Sequence, residues 1–253
     1  MIIIKSPQEI ELMRQAGRVV AKVLQEMERV IEPGLTTRSL DAVARRIIDR
    51  CQAEPAFLGY MGFPASICVS LNEEVVHGIP GPRRLKKGDI VSVDVGARYK
   101  GYCGDAAASF PVGEISTLAK RLLAVTEVSL QRGIAQAYPG NNLYDISAAI
   151  QTYVEAAGFS IVREYVGHGI GTNMHEEPQV PNFVPMGRGP ELEAGMVIAI
   201  EPMVNAGGWA TETKDDQWTV VTKDGSLSAH FEHTVAILED GPEILTSLQE
   251  GME

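Results

Sequence analysis

Only three cysteines, Cys51, Cys68 and Cys103, occur in 253 residues, and none falls in a CxxC pair. An odd, scattered set excludes a disulfide framework or a zinc ribbon and fits a reducing compartment. Each thiol is expected as a small buried hydrophobe. Long apolar runs are also missing, since none nears the roughly 18–20 residues that cross a bilayer. The apolar start Met1-Ile2-Ile3-Ile4 meets Lys5 at once, too soon for a secretory signal, so the expected location is cytoplasmic with no membrane partner. Basic residues are scarce: 22 stand against 33 acidic ones, a formal net charge of −11. Such a chain repels phosphate backbones, which disfavours specific nucleic-acid binding, and it suits a site that gathers cations. What remains, 45% hydrophobic and 22% charged residues, is the composition of an ordinary globular protein.

Local signals order the chain into two similar halves. Ser6-Pro7-Gln8-Glu9 predicts a capped helix start, and Ile10, Met13, Ala16, Val20, Val23 and Met27 continue at helical spacing until Pro33-Gly34. A second helix is expected from Thr37 to Cys51, then loops with one short strand at Ser66–Ser70. Ile90–Val95 reads as a strand that turns back at Tyr99-Lys100-Gly101. Helices follow at Thr117–Ala137 and Ala148–Ala157, with strands at Ser160–Val166, Met196–Ile200, Trp218–Thr222 and Phe231–Leu238. Helix, helix and hairpin, then helix, helix and several strands, describe a single α+β domain built from a duplicated unit.

The chemistry lies in the carboxylates. Asp94 interrupts the apolar strand Val91, Val93, Val95, and Asp105 lies beyond the turn. Any two-residue turn between positions of opposite parity puts both side chains on one sheet face. Two desolvated carboxylates on one face repel, and they need shared protons or a cation. Glu201, ending the run Met196–Ile200, and Glu232, in a later strand, repeat the arrangement. Facing halves would bring four carboxylates together, whose charge two divalent ions balance.

His168, in Val166-Gly167-His168-Gly169-Ile170-Gly171, offers a further ligand on a backbone that glycines let press against something. The spacing is wrong for a phosphate loop. All five histidines, His77, His168, His175, His230 and His233, fall in or beside these segments. Oxygen-rich ligation with one imidazole suits Mn²⁺, Fe²⁺ or Co²⁺. Paired ions of that kind activate water for hydrolysis of an amide or ester.

The ordered set Asn72-Glu73-Glu74-Val75-Val76-His77-Gly78-Ile79-Pro80, Asp94, Asp105, His168-Gly169-Ile170-Gly171, His175-Glu176-Glu177-Pro178, Glu201-Pro202-Met203 and Glu232-His233-Thr234 resembles type I methionine aminopeptidase in its short, bacterial-like form. The resemblance runs from about Ile3 to about Leu245. It implies a pita-bread fold, two pseudo-symmetric halves (about 1–112 and 113–253) with a central antiparallel sheet flanked by helices. It also implies two divalent metal ions (Co, Mn or Fe(II)) and removal of N-terminal methionine before a small residue, by a hydroxide bridging the metals. Asp94 would chelate one ion, Asp105 and Glu232 would bridge both, and His168 with Glu201 would hold the other. Glu201 would also shuttle the proton, His175 would donate to the scissile carbonyl, and His77 would contact the amide nitrogen. The methionine pocket would comprise Tyr60, Phe63, Cys68, Met174 and Trp218, with Met174 where a larger aromatic often occurs. Ala106 stands where many relatives carry a hydroxyl.

The expected partners are peptide and nascent-chain N-termini, with the chain a monomer. The basic run Arg83-Arg84-Leu85-Lys86-Lys87 is either a solvated turn or a transient ribosome contact. Two rival functions share the fold: a proline-specific aminopeptidase or prolidase, which usually carries an additional N-terminal domain, and a metal-free adaptor that has lost ligands.

Overall fold

In the computed structural model, which describes residues 1–248, the first long helix forms where the capping residues demand it. Helix α1 (Pro7–Val30) starts with Ser6 accepting from the Glu9 amide while the Glu9 carboxylate reaches back to Ser6. Its apolar stripe of Ile10, Met13, Val20, Val23 and Met27 is buried. Helix α2 (Thr37–Arg50) packs on it, capped by Thr36. Strands β1 (Glu54–Pro55), β2 (Cys68–Leu71) and β3 (Glu74–Val76) follow. The expected strand at Ser66 begins two residues later because Asp41 takes the Ser66 and Ile67 amides, at 2.7 and 3.2 Å.

β4 (Ile90–Tyr99) and β5 (Tyr102–Pro111) make the long hairpin, turning through Lys100 and Gly101, both at positive φ. Register settles the parity argument: Asp94 faces Ala107 and Asp105 faces Gly96, so both acids lie on one side. α1 covers the hairpin at close range, since a Cβ on Gly104 would lie 2.7 Å from the Gly17 nitrogen.

The second half repeats the plan with α3 (Thr117–Ile134) and α4 (Leu143–Ala156). α4 starts five residues earlier than expected, because Asn142 and Asp145 form a reciprocal cap of the kind found at α1. The expected strand Ser160–Val166 is only β6 (Ser160–Ile161), and β7 (Gly167–Gly169) takes up the glycine-rich segment. Then come β8 (Glu176–Val180), β9 (Val197–Ile200), β10 (Met203–Asn205), β11 (Thr211–Thr213), β12 (Val220–Thr222), β13 (Ser228–His230), β14 (His233–Leu238) and β15 (Gly241–Ile244).

The strands form four antiparallel ladders. β4 pairs β5 on one edge and β1 and β2 on the other; the rest run β13-β10-β6, β11-β12-β3 and β15-β14-β9-β7-β8. β12 on β3 joins strands of opposite halves. Each half has its own apolar core. A third cluster, with Met13, Phe57, Phe63, Cys68, Ile170 and Val197, fills the space between them.

Glu232 departs from expectation. It does not sit within a strand but in the break between β13 and β14, where its backbone exchanges hydrogen bonds with Ala107 of β5 (2.9 and 3.4 Å). The interruption lets the second half hydrogen-bond the first. It also aims the Glu232 side chain at the face that carries Asp94 and Asp105.

Candidate metal centre and active site

A cavity of about 370 Å³ opens between the halves. Its floor holds Asp94, Asp105, His168, Glu201 and Glu232, its walls are Phe57, Tyr60, Met61, Phe63, Cys68 and Trp218, and His77 and His175 also line it.

Each floor residue is placed by backbone constraints. Asp94 and Asp105 come from the hairpin, and Asp105 is anchored to the other half: its amide donates to the Thr234 hydroxyl oxygen at 3.0 Å, while that hydroxyl donates to its carbonyl at 2.7 Å. His168 lies mid-ladder between glycines that admit no side chain. A Cβ on Gly167 would meet the Ala199 carbonyl at 2.3 Å, and one on Gly169 the Glu177 carbonyl at 2.1 Å. The expected close backbone approach is therefore real, although the segment is a strand. His168 Nδ1 lies 2.9 Å from the Gly169 carbonyl, an acceptor only. Nδ1 must carry the proton, which leaves the Nε2 lone pair facing Asp105 at 3.8 Å and Glu201 at 3.7 Å. Glu201 follows the end of β9.

Ligand atoms of Asp105, His168 and Glu232 all lie within 4.8 Å of one another. Asp94 Oδ1, Asp105 Oδ1 and Glu232 Oε1 are buried without a hydrogen-bond partner among the described residues. Within 4 Å of these carboxylates the described ion-pair partners are imidazoles alone. Desolvation pushes the Asp94 carboxyl up to about 7, and raises Asp105, Glu201 and Glu232 well above the carboxylate range, with mutual repulsion adding to it. Burial holds the imidazoles neutral, His168 and His77 down to about 4. Four acids, three of them with orphaned buried oxygens, and a neutral imidazole presenting its lone pair fit a hard or borderline divalent cation.

His77 has a φ of +61°, and the strain is enforced from behind. A Cβ on Gly78 would meet the Val69 carbonyl at 2.2 Å, and the Gly78 amide donates to Ser70 Oγ. The ring stands edge-on to Tyr165 and Trp218. His175 is held by Tyr60, whose hydroxyl is 2.8 Å from Nδ1 with the rings stacked. Its segment is fastened by Glu176, which is buried with Lys5 at 2.7 Å and accepts the Asn173 amide.

Of the residues expected in the apolar pocket, Tyr60, Phe63, Cys68 and Trp218 do line the cavity. Met174 does not. It is 1% exposed and fills the space that the missing side chain of Gly96 leaves beside Phe57. Phe57 and Met61 line the wall unforeseen, although Phe57-Leu58-Gly59-Tyr60-Met61-Gly62-Phe63 spaces aromatics with glycines that turn at positive φ. His230 is one of the clustered histidines for which the sequence implies no role of its own. Its Nε2 is buried 3.7 Å from Glu201 and 4.0 Å from Glu232.

Of the basic run, Arg83 pairs with Glu74 and Lys87 with Glu114, which fits an ordinary turn. No described helix is long and apolar enough to cross a membrane.

Against known proteins, residues 11–239 match metallopeptidase family M24. The chain is 57% identical to methionine aminopeptidase 1 of Bacillus subtilis, over 97% of its own length and 99% of that protein. The solved methionine aminopeptidase of Thermotoga maritima superposes with a TM-score of 0.96 at 49% identity, over 98% and 100% of the two chains. A prolidase from Pyrococcus furiosus superposes at 0.78 with 22% identity, covering 98% of this chain and 66% of that one, a likeness of fold alone. The shared architecture is the pita-bread fold.

Proposed function

The chain belongs to metallopeptidase family M24, and from that membership we propose that it removes the N-terminal methionine from peptides and nascent proteins whose second residue is small. The observation that carries the reading is one cavity with two chemistries. Its floor is four buried acids with His168, and its wall is Phe57, Tyr60, Phe63, Cys68 and Trp218.

Two divalent ions of the Mn, Fe(II) or Co kind would be held there. Asp94, Asp105, His168, Glu201 and Glu232 would hold them. Once bound, such ions supply Lewis acidity to the scissile carbonyl and to the attacking water. The protein supplies the rest. Glu201, which must be ionised to act, would take the proton from the nucleophilic water and deliver it to the leaving amine, and the burial that raises its proton affinity suits it to hold that proton in between. His175, its Nδ1 engaged by Tyr60, has Nε2–H to donate to the carbonyl oxygen as charge develops. His77, fixed by its strained backbone, contacts the amide nitrogen on the leaving side. The thioether side chain lies on polarizable walls that include a thiol and two aromatic rings set edge to face. Positions 1–112 and 113–253 act as two halves of one catalytic domain, since each contributes acids to the floor. The reading places the chain in the cytoplasm as a monomer.

The test is release of free methionine from Met-Gly-Met-Met and Met-Pro-Gly-Gly beside a peptide beginning Ala-Pro. Chelator-stripped protein is assayed anaerobically with and without Mn²⁺, Fe²⁺ or Co²⁺. Metal-dependent release of methionine with the Ala-Pro peptide intact is expected. Cleavage of Ala-Pro instead would transfer the chain to the proline-specific peptidases.

A further inference from the structure

His230 has no part in the chemistry above, yet of the five histidines it is the most enclosed, at 1% exposure. Its Nε2 has no hydrogen-bond partner among the described residues. A buried polar nitrogen left alone costs stability, so its placement calls for a reason. The backbone fixes the ring firmly. The His230 amide donates to Ser109 Oγ, and Ser109 Oγ is also placed to donate to the His230 carbonyl, each at 2.9 Å. Ser92 Oγ lies 2.7 Å from the same hydroxyl.

Glu201 lies between two imidazoles. Its Oε1 is 3.7 Å from His168 Nε2 and its Oε2 is 3.7 Å from His230 Nε2, which is also 4.0 Å from Glu232 Oε2. The two rings cannot act alike. His168 spends its proton on the Gly169 carbonyl and shows the acids a lone pair. The His230 Nε2 meets only carboxylate oxygens, which are acceptors once ionised, so the tautomer that fits carries its proton there. Its place is that of a donor to ligands, at a separation that one shared water or a small carboxylate rotation spans.

We propose that His230 is a positioning residue for cation retention: its Nε2–H steadies Glu201 and Glu232 in the orientation that ligates, and so sets the affinity of the site. This rests on the reading of those two acids as metal-holding. Partners that orient ligands in this way are commonly worth about 10- to 100-fold in metal affinity.

The experiment compares chelator-stripped parent, His230→Leu and His230→Gln, titrated with Mn²⁺ by calorimetry and with Co²⁺ by visible absorption. Leu fills similar space without a donor, whereas Gln restores one at similar reach. The Leu variant should bind Mn²⁺ about 10- to 100-fold more weakly and shift the Co²⁺ bands, and the Gln variant should stay within about threefold of the parent. Parental affinity and parental bands in His230→Leu overturn the proposal. Should that variant not fold, His230→Met, of similar bulk and without an N–H, takes its place, and parental affinity there overturns it equally. A parent that itself binds neither ion fails differently, since it removes the metal-holding reading of Glu201 and Glu232.

Discussion

Asp94→Asn should destroy activity and yet stabilise the metal-free protein. Burial raises the Asp94 carboxyl from 3.8 to about 7. A group whose folded pKa lies above its unfolded value contributes stability that is fully present below the unfolded pKa and lost as pH rises through the folded one. Ionising Asp94 in place therefore costs about 4 kcal/mol at roughly 1.4 kcal/mol per pH unit of displacement. The loss begins as pH rises past the unfolded pKa, so about half of it falls between pH 5.5 and 8, roughly 2 kcal/mol, on top of whatever its three acidic neighbours add. The neutral amide removes the loss. At about 2–4 °C per kcal/mol for a chain of this size, the variant should melt roughly 8–16 °C above the parent at pH 8 in chelator, with the gap falling to about half at pH 5.5. Denaturant unfolding at both pH values, with and without Mn²⁺, measures it. A stripped parent that gains stability from pH 5.5 to 8, or an Asn variant no more stable than the parent at pH 8, would refute the reasoning.

Adding Mn²⁺ to the stripped protein at pH 7 should release protons, because the raised carboxyls must give them up to bind; calorimetry in two buffers of different ionisation heat counts them. Asp105→Ala and Glu232→Ala should be inactive with every metal, whereas His175→Ala should keep its metal and lose on the order of 10²-fold in kcat. Hydrogen bonds from Ser6, chiefly its amide, lower the Glu9 carboxyl below its ordinary range, so its stabilisation is present above the unfolded pKa and disappears as pH falls through the folded one. Glu9→Ala should then cost about 1 kcal/mol at pH 7 and progressively less in acid, as read by denaturant midpoints. Gly17→Ala would push a Cβ to 2.2 Å from the Leu245 carbonyl; a loss on the order of 3 kcal/mol is expected by the same assay.

The features legible from sequence were those set by neighbours along the chain. The cap at Ser6 and the shared face of Asp94 and Asp105 follow from spacing alone, because reciprocal caps and two-residue turns have fixed geometry. The start of α4 is equally local, written in the Asn142 and Asp145 cap ahead of the apolar run. Others were hidden for tertiary reasons. Nothing near Glu232 says that its backbone will pair with Ala107 rather than continue a strand. The burial of Met174 depends on a vacancy at Gly96, far off in sequence. Phe57 and Met61 reach the cavity through a glycine-hinged turn that carries no periodicity. The resemblance to a known family supplied the roles, which residue types alone left open.

The join between the Glu232 segment and β5 has a kinetic consequence. The acids come from both halves, so any parting of the seam, with the Ala107, Thr234 and Ser109 hydrogen bonds breaking together, would split the ligand set and speed the loss of a bound cation. Loosening one of those hydrogen bonds should therefore quicken the exchange of bound ion with a labelled one in solution, although no ligand is touched.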